Sequence, residues 1–132
     1  VMHTRRFSLA LASLAFLCAL APLRAQETAD PEELHRRGRA ALLRGDARAA
    51  VPLLTSAVAA DPAWERVPWR IALARAHQAA GEPALAEPIL RAVLERVPDH
   101  VEAGQLLAEL LAARGAAEEV LAVLEPLLAY RK

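Results

Sequence analysis

From residue 31 onward, apolar residues recur every three to four positions in six stretches separated by glycine, proline or polar clusters. That period marks amphipathic helices. It predicts six of them, over residues 31–44, 47–60, 68–80, 83–96, 100–113 and 117–130. The ends carry chemical punctuation. D30-P-E-E places aspartate at an N-cap, proline at the first helical position and two acids where they complement the helix dipole. V67-P-W opens another helix with Pro68, and D99-H-V-E reads as a capping box in which Asp99 caps and Glu102 reaches back. Alanine and leucine dominate, aromatics are few and β-branched runs are missing, so the chain reads as all-α.

Before residue 31 the pattern changes. His3, Arg5 and Arg6 precede an uncharged run from Phe7 to Leu23, interrupted by Pro22, and a short polar region follows. This is the layout of a secretory signal peptide spanning residues 1–25, with cleavage expected after Ala25 in L23-R-A and a linker over 26–30. An uncleaved membrane anchor is the alternative, and the run sits near the short end for crossing a bilayer. Cys18 follows Phe16 and Leu17, whereas a lipoprotein signal wants small residues there. The expected destination is the periplasm or cell envelope, or the exterior. Cys18 is the single cysteine, so the processed chain has no disulfide. Processing also removes Arg5, Arg6 and Arg24 and no acid, leaving 13 basic against 16 acidic residues. A mildly acidic chain without a basic stripe is not built for nucleic acid.

Gly45, Gly81 and Gly115 each follow a helical stretch, at spacings of 36 and 34, and Pro62 and Pro98 are also 36 apart. A period near 34 with one helix-turn-helix per unit is the tetratricopeptide spacing. In that register the chain resembles the tetratricopeptide repeat family over units 31–64, 67–100 and 101–132, with two extra residues beside W64-E-R. The family places small residues at unit positions 8, 20 and 27 for close helix approach; here these are Gly38, Ala74 and Ala108, then Ala50, Ala86 and Val120, then Ala57, Val93 and Leu127. Leu54, Leu90 and Leu124 match its large apolar position 24. Departures occur at position 4, which is Leu34, then Arg70 beside Trp69, then Gly104, and at position 7 of the first unit, which is Arg37 rather than leucine. The resemblance implies a right-handed α-solenoid of three antiparallel helix pairs. Pro52 and Pro88, both at position 22, then fall on the outer surface, where a freed carbonyl can bond water.

The resemblance also implies that unit positions 2, 5, 9, 12 and 13 line an inner groove. These are Glu32, His35, Arg39, Leu42 and Leu43, then Pro68, Ile71, Arg75, Gln78 and Ala79, then Glu102, Gln105, Glu109, Ala112 and Ala113. Two cationic units followed by an acidic one, with Leu42 and Ile71 as floor, suit a peptide that carries an acid beside apolar residues. Arg39 and Arg75 are the expected acid binders. The family's lysine-asparagine clamp for chaperone carboxylates is not matched at these positions. Chemistry is not expected. His35, His77 and His100 stand one per unit without metal-ligand spacing, His77 reads as a satisfied packing histidine, and no nucleophile has a base or glycine elbow. The chain therefore reads as a non-enzymatic adaptor without cofactor or metal, binding a protein or peptide. A structural assembly module is the competing class, and an enzyme accessory domain is a more distant third. Leu121 and Leu128 lie where a further unit would dock, so self-association or a longer array is expected there.

Overall fold

The computed structural model describes residues 29–129; the expected signal peptide and its cleavage site lie outside them. Six helices follow in order: α1 Pro31–Leu43, α2 Ala47–Ala59, α3 Val67–Ala79, α4 Pro83–Arg96, α5 Val101–Ala113 and α6 Ala117–Ala129. No strand occurs among the described residues, and no helix there is long and apolar enough to cross a membrane. Each helix packs on its sequence neighbours, and α1 also touches α3, so the pairs stack into an all-α solenoid. The hairpin turns are alike. Gly45, Gly81 and Gly115 sit at φ of 79°, 77° and 77°, the left-handed conformation that ends a helix. The next amide reaches back to the carbonyl five residues earlier: Asp46 to Ala41, Glu82 to His77 and Ala116 to Leu111.

Two apolar clusters form where the hairpins meet. Ala41, Ala50 and Leu54 pack against Ala72, Leu73 and Ala76 of α3. Farther along, Ile71, Ala74, Leu90 and Val93 pack against Leu106, Leu107 and Leu110 of α5. Fully buried alanines let the helix axes close up: Ala50, Ala57 and Ala86 are all at 0% exposure. At Gly38 a methyl group would lie 2.6 Å from Leu54 Cγ, so only glycine fits.

The departures from the family pattern have physical reasons. In the last hairpin the small and large partners trade places. A methyl on Gly104 would run into the Leu127 side chain, so the missing bulk at position 4 admits the extra bulk at position 27. Arg70, in the place of a large apolar residue, is buried with Asp61, each about 6% exposed. Its guanidinium donates to Asp61 Oδ2 at 2.6 Å and to the Asp61 carbonyl at 2.5 Å. Asp61 also accepts the backbone N–H groups of Glu65 and Arg66. Trp64, at φ 61°, stacks beneath the guanidinium groups of Arg70 at 3.9 Å and Arg96 at 4.4 Å. The two inserted residues thus form a tied corner between units, held from both sides.

Pro52 and Pro88 are exposed, as are Arg48 and Ala84, whose carbonyls lose their helical partners. The cap of α5 differs from expectation. His100 rather than Asp99 is the N-cap, its Nδ1 accepting the Ala103 amide at 3.2 Å. Glu102 does not reach back, because it is drawn to Arg75 across the unit boundary. On another face, Glu87, Arg91, Arg114 and Glu119 form a four-residue charge network that ties α4 to the α5–α6 hairpin.

The exchange at Gly104 makes a specific expectation. Gly104→Ala overpacks the last hairpin and destabilises by about 1–3 kcal/mol. Leu127→Ala alone also destabilises, but the double variant loses less than the sum of the two, a coupling readable in denaturant melts. Strict additivity would show that the two side chains do not share one space.

Candidate functional site

The first helices of the units lie side by side, and a cleft of about 720 Å³ opens between them. His35, Arg39, Leu42 and Leu43 come from α1, while Pro68, Ile71, Ala72, Arg75, Gln78 and Ala79 come from α3. His100 and Glu102 close it at the start of α5. Helical spacing sets this lining, since residues three and four apart share a face. The cleft joins ten of the fifteen positions read from sequence as facing the groove, among them His35, Arg39, Leu42, Ile71, Arg75 and Gln78. Gln105 and Glu109 are exposed on α5 and do not line it, because the cleft ends at the first turn of that helix. His100 and Ala72 line it without having been expected there. A helix-capping histidine carries no spacing signal that would reveal it.

The electrostatics are less cationic than two arginines imply. Arg75 is held by Glu102, its Nη2 2.6 Å and Nε 3.1 Å from Oε1. Both are about half exposed, so the pair is a modest contact that mainly cancels charge within the cleft. Arg39 is exposed and makes no ion pair or hydrogen bond among the described residues. It stands beside Leu42 and the strongly exposed Leu43, which is 87% accessible. Among the described residues, Arg39 is thus the cleft cation without an ion pair, next to apolar surface.

His35 forms the other wall. Its ring stacks on Trp69 with centroids 5.3 Å apart and planes 20° from parallel. Its Nδ1 is buried and has no hydrogen-bond partner among the described residues. Burial first, and then the Arg39 charge, hold the imidazole below the usual histidine range, with Glu32 pulling weakly the other way. His77 differs from expectation as well. Its Nδ1 is buried without a hydrogen-bond partner among the described residues, and Glu82 at 3.6 Å is too far for a hydrogen bond. No cluster of three metal-ligating side chains occurs among the described residues.

At the far end of the stack, α6 buries none of its residues. Leu121 and Leu128 are each 62% exposed.

Comparison with known families agrees with this architecture. A family model described as the tetratricopeptide repeat matches residues 41–95 and again 77–132, an offset equal to the Gly45–Gly81 spacing. The chain belongs to the tetratricopeptide repeat family. It therefore carries a repeat fold that serves protein–protein interaction and is generally non-catalytic. Searches of curated proteins and of solved structures produced no match.

The His35 environment sets a pH dependence. A folded-state pKa below the unfolded one means that the unfolded chain binds the extra proton, so stability rises with pH through that window. The stability from neutral His35 is present above the ordinary histidine pKa of about 6.5 and is lost as pH falls through it. Thermal melts between pH 7.5 and 5.5 are expected to show a falling midpoint, and His35→Gln is expected to flatten that slope. An unchanged slope in the variant would rule the effect out.

Proposed function

We propose that this chain is an exported adaptor that holds a segment of a partner protein in the α1–α3 cleft. The partner places a carboxylate on Arg39 and an apolar side chain over Leu42 and Ile71. One observation carries this reading: Arg39 is unpaired among the described residues and stands directly beside exposed apolar surface. A guanidinium fork matches a carboxylate in geometry, and the apolar surface beside it receives the neighbouring side chain. Arg75 and Glu102 act together as a polar pair that selects a segment without a second strong charge at that point. The test is capture of partners from cell-envelope extract, quantified by mass spectrometry. Arg39→Glu is expected to abolish capture with helical circular dichroism unchanged, whereas Arg75→Glu reduces it less. Capture that survives Arg39→Glu at low salt would place binding on another surface.

Export belongs to the same reading, supported by the charged start, the apolar run and the L23-R-A site. Protein recovered from the cell envelope is expected to begin at Gln26, as N-terminal sequencing or intact mass would report. An unprocessed chain in the membrane fraction would replace cleavage with anchoring.

The second class, an assembly module, has its own observation in the exposed apolar side of α6.

A further inference from the structure

The two ends of the helix stack differ in kind. Where one unit meets the next, the apolar residues at unit positions 21 and 28 are partly buried in the shared cluster, while position 21 of the second unit is Glu87, which pairs with Arg114 beyond the boundary. Val51 and Val58 lie against the cluster that includes Ala72, Leu73 and Ala76 of α3, and Leu94 lies against the cluster formed with α5. Leu121 and Leu128 hold these same two positions on α6 and remain exposed. The covering side of a first helix is equally regular. Ala72, Leu73 and Ala76 supply it on α3, and Leu106, Leu107 and Leu110 on α5. On α1 those positions are Arg36, Arg37 and Ala40.

Charge follows the same axis. The first hairpin, residues 31–59, has five arginines against three acids, and the last, residues 101–129, has five acids against one arginine. Glu118 and Glu125 flank the exposed leucines and form no ion pair among the described residues; neither does Arg37. Arg36 is exposed and, among the described residues, bonded only to Glu33 within its own helix, at 2.6 and 2.8 Å.

We propose that α6 of one copy receives α1 of a second copy, head to tail, continuing the stack across the molecular boundary. The aliphatic stems of Arg36 and Arg37 cover Leu121 and Leu128, and their guanidinium groups meet Glu118 and Glu125. Arginine suits both tasks, since its stem packs on apolar surface while its head stays polar. A two-fold contact between two α6 helices is disfavoured. Glu125 lies between Leu121 and Leu128 on one helical stripe, so symmetry would set it against its own copy in a partly dry interface. A head-to-tail contact leaves a free α1 and a free α6 after every addition, so it grows or closes into a ring. This surface is separate from the cleft, and neither proposal depends on the other.

The test uses the chain expressed with its own N-terminal segment and purified, followed by sedimentation velocity over a concentration series. The expected result is a mass that rises with concentration and falls with added salt. Arg36→Glu/Arg37→Glu and Glu118→Arg/Glu125→Arg are each expected to raise the concentration for half-assembly about tenfold or more. An equimolar mixture of the two reversed chains is expected to assemble again, because each end then meets an opposite charge. Leu121→Glu/Leu128→Glu is expected to stay monomeric, and circular dichroism shows which variants are folded. If a glutamate variant misfolds, Arg36→Gln/Arg37→Gln replaces it. A parent that is monomeric at every soluble concentration overturns the proposal. So does assembly that ignores the arginine reversal while responding to the leucine one, which would point to α6 pairing with itself.

Discussion

The whole array depends on helices approaching more closely than two leucine-lined surfaces allow. One hairpin has too little apolar area to cover itself, so the core exists only where units meet. The meeting surfaces are built largely of alanine, with Ala41, Ala50, Ala57, Ala76, Ala86 and Ala103 fully buried. Each contributes little area by itself. Their value is that they let Leu54 pack with Leu73 in one cluster, and Leu90 with Leu107 in the other, at interior density. Gly38 takes this to its limit under Leu54. The last hairpin satisfies the same constraint by inversion, with space at Gly104 and bulk at Leu127. What the packing conserves is the summed volume at the contact, not the residue at one position.

Between the first two units the stack is interrupted, and a polar device carries the load there. Burying Arg70 and Asp61 costs desolvation that an isolated pair barely recovers. Here the carboxylate is fully engaged. Burial alone would push it up, yet the Arg70 contact and the amides of Arg66 and Glu65 bring it below the usual carboxylate range. Trp64 stacked under Arg70 and Arg96 shields the corner from solvent. A buried ion pair accepts far fewer geometries than an apolar contact, so the corner sets the register of the second unit on the first. That register in turn places α3 beside α1 and opens the cleft between His35 and Ile71.

The cleft and the end of the stack are two kinds of surface on one scaffold. In the cleft, Arg75 and Glu102 neutralise each other across a unit boundary and leave Arg39 as the charge that faces outward unpaired among the described residues. At the end, α6 is as apolar as a helix meant to be covered, and the positions that meet a following unit elsewhere in the chain are bare. Both properties arise from stacking. The same helix face is core where a further described helix covers it and surface where none does.

The sequence by itself determined the helices, the repeat and the family, because these rest on local rules. The 3.6-residue period, the glycines at the turns and the 34 to 36 residue spacing are written along the chain. Helix boundaries read from it lie within one residue of those observed at every end. Ten of the fifteen positions read as inward-facing line the cleft for the same reason, since unit position maps onto helix face. What the sequence could not carry was pairing between residues far apart in it. That Glu102 would leave its capping role for Arg75, that His100 would cap in place of Asp99, and that His77 would find no partner among the described residues depends on how units dock. Gly104 and Arg70 likewise looked like defects until Leu127 and Asp61 stood beside them. Only the tertiary structure decided these points, because close packing and charge neutralisation are satisfied between elements and not within them.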